Sequence, residues 1–484
     1  MAPTSYATPG VYVEEISTLP PSIAEIGTAI PAFIGTTTAH DASKPVVAQE
    51  INSLREFEDR YGSAPATEWK VSFQADPEGF VILDGQDKPV GRFSEPASLL
   101  WYAIDLYFRN GGSRCYILSV GVASAATPPT AQQFLAGLDA LERYDEPTLV
   151  LIPEVSKLSP ADYGSVCKAA LQHAAKLKDR FVLLDAKPSP GNGLASADME
   201  AMREPLGMDH LDRGALYFPF LLTTLAHQIS EERIQVLGLP GAASATPAGA
   251  EGGKGSSSAG SKAATQGVSL PSLATTQTIH YNQIKKLLGE QRVILPPSAA
   301  IAGVVASVDR ERGVWKAPAN VGLQAVIAPV VQVTDEQQAL LNIDPTTGKS
   351  INAIRSFAGK GPLVWGARTL AGNDNEWRYI SVRRLFITVE ESVKKATAFA
   401  VFEANDTSTW LKVKGMIDSY LYTLWERGAL RGAKAEEAYF VNVGLNKTMT
   451  MDDILNGRLI VEIGLAAVRP AEFIILRFSH KVSQ

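Results

Sequence analysis

Cysteine is scarce in this 484-residue chain, which contains only Cys115 and Cys167. Two cysteines are too few for a disulfide framework or a cysteine metal site, so we expect buried thiols in a reducing cytoplasm. Positive charge is not in excess, because the net charge is −6, and no global positive field indicates nucleic acid or an anionic membrane as a partner. No stretch reaches the roughly 18 uninterrupted apolar residues of a membrane span, and the N-terminal segment lacks a secretory pattern.

Motifs for catalysis and ligand binding are also missing. No G-x-G-x-x-G follows a predicted strand, no serine lies in a G-x-S-x-G elbow, and the six histidines lack the spacing of metal ligands. His173, on a predicted helix, is interpreted as a structural residue. DPTTGKS (344–350) resembles the end of a phosphate-binding loop, but Ile343 stands where that loop requires glycine, so a polar turn is preferred. We expect no catalytic residue, metal or cofactor, and a cytoplasmic α/β enzyme is the weaker alternative.

Hydrophobic patterning predicts an α/β layer in the first part of the chain. Short apolar runs typical of buried strands alternate with amphipathic helices, a pattern that favours a largely parallel sheet. Residues 70–93 predict a hairpin that turns at Asp84-Gly85. The apolar runs are AIPAFIG (29–35), RCYILSV (114–120), PTLVLIP (147–153) and RFVLLD (180–185).

Two later regions depart from this pattern. Residues 241–262 are dominated by Gly, Ser and Ala, which cannot bury enough apolar surface to offset the entropy of ordering. They are interpreted as a flexible surface insertion rather than a domain boundary, because β-like apolar sequence resumes on both sides. The last third predicts two long amphipathic helices, the second of which ends at Gly428, and then three short strands: AYFVNVG, GRLIVEIGL and EFIILRF.

The sequence TPGVYVEEI (8–16) predicts a short strand close to the N-terminus. Its apolar and polar residues alternate with the period of a half-buried strand, and prolines on both sides limit its length. One strand is not stable alone in water because its backbone groups need a partner. The pattern leaves open whether the partner strand belongs to the same molecule.

Basic residues cluster between positions 410 and 434 of an otherwise acidic chain. Two interpretations are open: a solvated helix face, or a contact strip for an acidic partner surface, since complementary charge sets register at an interface. The five residues, called the basic strip below, are Lys412, Lys414, Arg427, Arg431 and Lys434.

Several stretches, taken in their order, resemble the contractile tail sheath proteins of bacteriophages and phage-tail-like injection systems. The resemblance covers nearly the whole chain, although the 241–262 insertion and the 70–93 hairpin depart from a minimal sheath. The stretches are GVYVEE, TAIPAFIGTT, YFRNGGSRCYILSV, ILPPSAAIAGVVASVDRERGVWKAPAN, SINAIRSFAGKGPLVWGARTL, WRYISVRRLFITVEESV and NGRLIVEIGLAAVRPAEFIILRF.

The resemblance implies a structural subunit, α/β in its outer layer and α+β overall. It implies an N-terminal arm (1–25), an outer α/β domain (26–345) and an inner α+β domain (346–484) that ends in a C-terminal arm from about residue 466. Such subunits polymerise as a helical cylinder around an inner tube and contract to drive the tube through a target envelope. A cap or baseplate component of the same machine is the alternative.

The resemblance also implies contact residues and partners. Each arm is expected to enter a sheet of a neighbouring subunit, and the basic strip is expected to face the inner tube. Expected partners are further copies or sheath paralogues, the inner tube protein, the baseplate and the terminal cap, with no nucleic acid and no membrane insertion. Assembly is expected in the bacterial cytoplasm, within a virion tail or a released or membrane-attached tail-like particle. The arm residues are Gly10, Val11, Tyr12, Val13 and Glu14, and Glu472, Phe473, Ile474, Ile475 and Leu476.

Overall fold

The computed structural model describes residues 23–75, 78–124, 128–187, 194–239, 267–473 and 475. The strands of these residues are β1 (Pro31–Thr37), β2 (Gln49–Ile51), β3 (Lys70–Ala75), β4 (Glu78–Leu83), β5 (Phe93–Ser94), β6 (Cys115–Val122), β7 (Leu149–Leu151), β8 (Phe181–Asp185), β9 (Gly214–Phe218), β10 (Leu221–Ala226), β11 (Gln235–Leu237), β12 (Val268–Ser269), β13 (Arg292–Leu295), β14 (Val321–Gly322), β15 (Val326–Pro329), β16 (Ile351–Phe357), β17 (Gly361–Val364), β18 (Tyr439–Val443) and β19 (Val461–Leu465).

The helices of the described residues are α1 (Leu54–Tyr61), α2 (Leu100–Arg109), α3 (Ala131–Leu141), α4 (Pro160–Leu177), α5 (Ser196–Arg203), α6 (Leu270–Thr276), α7 (Thr278–Gly289), α8 (Ser298–Arg312), α9 (Asp335–Asn342), α10 (Ile380–Ala396), α11 (Thr407–Glu426), α12 (Ala435–Ala438) and α13 (Met451–Leu455). Contacts divide the chain into two compact units. The larger unit comprises residues 27–387 and 469–484, and the smaller unit comprises residues 1–26 and 388–468.

A nine-stranded sheet organises the larger unit, in the order β14-β17-β16-β9-β8-β7-β1-β6-β2. Its six central strands, from β16 to β6, run parallel, and antiparallel strands flank them. All seven residues of the central strand β1 are buried, with Phe33 in the core on one face and Ala32 and Ile34 in the core on the other. Helices cover both faces, which explains why β1 is a continuous apolar run. The predicted α/β fold with a largely parallel sheet is confirmed.

Helices α2 and α8 cover one face of this sheet and approach each other closely. A Cβ atom built on Gly303 of α8 would lie 2.6 Å from the Tyr107 carbonyl oxygen and 2.7 Å from Asn110 Cβ. The Asn110 side chain is itself held, because its amide nitrogen donates to the Leu106 carbonyl at 2.8 Å. Glycine at position 303 therefore sets the distance between the two helices.

Two four-stranded sheets complete the larger unit, in the orders β15-β10-β13-β5 and β12-β11-β3-β4. β3 and β4 pair antiparallel. The predicted turn at Asp84 follows β4, and the Asp84 N–H donates to the Lys88 carbonyl at 2.9 Å. β11 and β12 pair with each other, so the segment that contains 241–262 connects two paired strands, although 241–262 itself lies outside the described residues.

The border between the units follows from the sheet. β16 pairs with β9, and β17 pairs with β16, so both strands belong to the nine-stranded sheet of the larger unit. Residues 346–387, which the sequence assigns to the inner domain, thus lie in the larger unit by contacts. The division into an outer and an inner layer stays a prediction.

The smaller unit contains a two-stranded antiparallel sheet and the helix α11. The Asp406 side chain caps α11 by accepting from the Thr409 N–H at 3.0 Å. Gly428 follows the end of the helix with φ of 82°, as the sequence predicts. β18 and β19 confirm two of the three predicted strands. The third, EFIILRF, lies mostly outside the described residues, and Glu472 and Phe473 at its start are not in a strand.

Candidate inter-subunit surfaces

The sheet formed by β18 and β19 lies against α11, which supports one of its faces. Val441 and Val443 of β18 are buried, and α11 contributes a buried stripe. The Tyr439 hydroxyl also donates to the Asp418 carbonyl of α11 at 3.2 Å. The stripe consists of Val413, Met416, Ile417, Tyr420, Leu421 and Leu424. The helix therefore holds a sheet of only two strands in place, which would be marginal by itself.

Both outer edges of this sheet are open within the described part of the chain. The Ala466 N–H donates to the Ala438 carbonyl at 2.8 Å, and this register makes Phe440–Gly464 and Asn442–Glu462 the hydrogen-bonded pairs. The intervening residues turn their backbone groups away from the partner strand. These outward-facing residues are Val441 and Val443 on β18, and Val461, Ile463 and Leu465 on β19. No further described strand pairs with either edge.

The described C-terminal segment, residues 469–473 and 475, belongs to the larger unit and contacts a buried arginine there. Arg368, whose side chain is 3% exposed, forms a two-pronged ion pair with Glu472, with Nε–Oε1 and Nη2–Oε2 distances of 2.9 and 2.5 Å. Beyond this pair Phe473 and Ile475 are 71% and 77% exposed. Ile474 and Leu476 lie outside the described residues. The inter-subunit role of these five residues stays a prediction.

Residues 23–26, with which the described part of the chain begins, belong to the smaller unit. Ile23 is buried, the Ile26 N–H donates to Ser392 Oγ at 3.3 Å, and Glu25 pairs with Arg427 at 2.8 Å. The predicted arm residues Gly10, Val11, Tyr12, Val13 and Glu14 lie outside the described residues.

The basic strip is divided between the two ends of α11. Lys412 and Lys414 lie in its first two turns, and Arg427 lies 15 residues further, which corresponds to about 20 Å along a helix. Lys414 pairs with Asp418, and the Lys412 ammonium lies 4.5 Å from the centre of the Phe399 ring. The structure therefore does not bring the five residues together.

Arg431 and Lys434 occupy the connection between α11 and β18. Both are exposed, and the Arg431 N–H donates to the Ala466 carbonyl at 2.7 Å, directly beyond β19. Lys434 immediately precedes α12. These two cations thus lie close to the open-edged sheet, and they are the part of the basic strip best placed for a partner.

The crevice where doubly wound sheets bind ligands is filled by a carboxylate of the chain itself. Such ligands bind outside the carboxyl ends of the strands where the strand order reverses, which here is beside β1 and β7. Glu154, 1% exposed, follows β7 and accepts from the Thr36 N–H at 2.8 Å, Ser98 Oγ at 2.9 Å and the Leu99 N–H at 3.0 Å. The side chain thereby replaces an external anion at the start of α2.

The two remaining chemical candidates are structural. Asp344 accepts from the Thr347 N–H at 2.7 Å, and buried Lys349 donates to the Arg203 carbonyl at 2.8 Å, so 344–350 is the expected polar turn. His173 is buried, and its Nε2 lies 3.2 Å from Nη1 of the buried Arg180. Burial, and then the Arg180 charge, lowers the pKa of His173 to about 4.

Two other kinds of site are absent from the described residues. They contain no group of His, Cys, Asp and Glu side chains suited to a metal ion. Among the helices of the same residues, none combines the length and the apolar character needed to cross a bilayer.

Among the described residues, an open-edged sheet and a C-terminal segment with exposed apolar side chains are the features that strand addition between subunits requires. Residues 372–481 match the model of the phage tail sheath C-terminal domain family. The tail sheath protein of Vibrio phage KVP40 is 28% identical over 136 residues, which are 28% of this chain and 20% of the phage protein. The match therefore spans a fifth of that relative's length.

Solved structures match along the whole chain. The contracted helical sheath of the anti-feeding prophage is 31% identical to this chain, with a TM-score of 0.64. A chain of the same particle's baseplate structure is also 31% identical, with a TM-score of 0.63. Each match covers 99% of this chain and 100% of the other. The contracted sheath of the extracellular contractile injection system PVC is 29% identical, with a TM-score of 0.64 and coverage of 99% of both chains. The chain belongs to the contractile tail sheath proteins and is a sheath subunit of a contractile injection system.

Proposed function

We propose that the chain polymerises by arm exchange into a helical cylinder around an inner tube, and that contraction of the cylinder drives the tube through a target envelope. The observation that carries this proposal is the two-stranded sheet, with which no further strand of the described residues pairs, in a chain that matches a contracted helical sheath over its full length. Two open edges provide places for two arms, one from each of two neighbours. We assign the segments around residues 10–14 and 473–476 to these places.

Strand addition suits a contracting polymer because its main contacts are backbone hydrogen bonds. Such contacts hold the added strand while leaving the attached bodies free to rotate about the connecting chain. The contact is head-to-tail, because an arm of one copy meets the sheet of another, and contacts of this kind generate helices and not closed dimers. Further copies of the chain are thus its main partners.

Other partners follow from the proposed position of the subunit. Arg431 and Lys434, exposed beside the sheet, are assigned to an acidic surface of the inner tube. A baseplate at one end and a cap at the other are the expected ends of the cylinder. The protein acts as a structural element without catalysis, and it assembles in the bacterial cytoplasm as part of a tail-like particle.

Electron microscopy of the purified chain, alone and with its tube protein, tests this function. Striated hollow cylinders support the proposal. Discrete globular particles at all concentrations, with no change when tube protein is added, contradict it.

A further inference from the structure

The Arg368–Glu472 pair connects the described C-terminal segment to the interior of the larger unit. The Arg368 side chain is 3% exposed and the Glu472 side chain is 21% exposed, so water screens the pair weakly. The fork of Arg368 contacts both carboxylate oxygens, the geometry in which guanidinium and carboxylate bind most strongly. The Tyr379 hydroxyl adds a third donor to the same carboxylate at 3.3 Å.

Arg368 is itself held by the nine-stranded sheet. Its N–H donates to Asn352 Oδ1 at 2.8 Å, and Asn352 Nδ2 donates back to the Arg368 carbonyl at 2.8 Å. Asn352 belongs to β16 and also donates to the Leu216 carbonyl of the neighbouring strand β9, at 3.2 Å. A continuous set of hydrogen bonds therefore runs from Glu472 to two central strands.

The segment around this pair is exposed on both sides of Glu472, since Arg469, Ala471 and Phe473 are exposed and Pro470 is half-buried. Residues 470–473 line a groove whose other wall includes Asn320, Arg355 and Trp365. After Glu472 the apolar side chains of Phe473 and Ile475 lie in solvent. Within this exposed segment the Glu472 side chain is held by its own subunit, through Arg368 and Tyr379.

We propose that the Arg368–Glu472 pair is the fixed root of the C-terminal arm, so that the segment given to a neighbour begins at Phe473. Glu472 then acts within its own subunit and sets the point from which the arm departs. Tension on the exchanged arm is delivered to the nine-stranded sheet of the larger unit, through Arg368 and Asn352. This inference rests on the proposed arm exchange for its purpose, but the root itself is a property of the single subunit.

A spin label tests the root in the free subunit. Both native cysteines are buried, so a cysteine introduced as Ala471→Cys or as Ile475→Cys takes the label selectively. We expect a slow-motion spectrum at position 471 and a mobile one at position 475. Glu472→Gln, which keeps the shape and removes the charge, should abolish the slow-motion component at 471. Asp418→Asn, which breaks the exposed pair with Lys414, should leave it unchanged.

The outcomes separate the root from the arm exchange. A mobile label at 471 in the otherwise unchanged chain, or a label that Glu472→Gln does not release, overturns the root whether or not sheaths form. If Glu472→Gln does not fold, Arg368→Lys, which retains the charge and loses the fork, replaces it and should release the label in the same way. Immobilisation of the label at 475 on assembly reports arm exchange separately, and its absence contradicts the proposed function while leaving the root intact.

Discussion

Proline at position 463 should block strand addition while leaving the subunit folded. The N–H of Ile463 points away from β18, because the bonded pairs of the sheet are Phe440–Gly464 and Asn442–Glu462. Ile463→Pro therefore removes an outward donor and no internal ladder bond, and proline is tolerated where the N–H faces away from the sheet. Glu462→Pro, one residue earlier, removes an inward donor and is the matched control.

The expected weakening of assembly by Ile463→Pro corresponds to the loss of one hydrogen bond at each contact between subunits. A net contribution of about 0.5–1.5 kcal/mol corresponds to a factor of roughly two to ten in the concentration at which polymer appears. Sedimentation across a concentration series measures this threshold, and circular dichroism melting measures stability. Ile463→Ala, which keeps the N–H, separates the loss of the side chain from the loss of the donor.

Two results would refute the reasoning about this edge. One is a threshold for Ile463→Pro equal to that of Ile463→Ala. The other is a melting temperature lowered as much by Ile463→Pro as by Glu462→Pro, since that outcome means that the donor is used inside the subunit.

Three further predictions concern stability and the tube contact. His173 has a folded pKa of about 4, below its unfolded value of 6.5, so the stability it contributes is complete above pH 6.5 and is lost as pH falls toward 4. Between pH 7 and 5 the unfolding free energy, measured by urea denaturation, should therefore fall by about 2 kcal/mol more in the parent than in His173→Gln. An equal fall in the two proteins contradicts this. Gly303→Ala should destabilise by about 1–3 kcal/mol through overpacking, whereas Gly289→Ala, with open space around it, should melt like the parent; equal melting of both variants contradicts the close approach of α2 and α8. Replacing both Arg431 and Lys434 by Glu should weaken co-assembly with the tube protein, most at low salt, without changing self-assembly. Unchanged co-assembly means that the two side chains face solvent and do not contact the tube.

The parts of the fold that depend on local pattern were predictable from the sequence. β1 is a continuous apolar run because both of its faces are buried, and α11 follows Asp406 because that side chain satisfies a free N–H. Each signal lies within a few residues of the element that it specifies. The order of the strands in the large sheet carries no comparable local signal.

The buried ion pairs could not be predicted because their partners are far apart in sequence. The sequence around Arg384 of α10 contains no local signal that this arginine is buried. Its side chain is nevertheless 3% exposed and pairs with Asp309 of α8, which is 4% exposed. The sequence pattern likewise places Glu472 in an exchanged strand as a polar residue, whereas in the structure its side chain pairs with Arg368. The pairing of β16 with β9, a strand more than a hundred residues earlier, could not be predicted for the same reason.

The open edges of the sheet also could not be predicted from the sequence. Alternation identifies β18 and β19 as strands, but only the register shows which backbone groups face outward. The sequence therefore predicts two arms, and the sheet edges that we propose as their binding places are visible only in the structure.

Cross-linking between differently labelled copies tests arm exchange most directly. One chain carries Ile475→Cys and another carries Ile463→Cys, and the two are mixed before assembly. The native thiols do not interfere, because Cys115 and Cys167 are buried and burial raises the pKa of Cys167 to about 12. After assembly and treatment with a short bismaleimide, we expect a covalent product that contains one chain of each kind. Absence of that product from well-formed cylinders, together with a cross-link inside single chains that carry both cysteines, would contradict arm exchange.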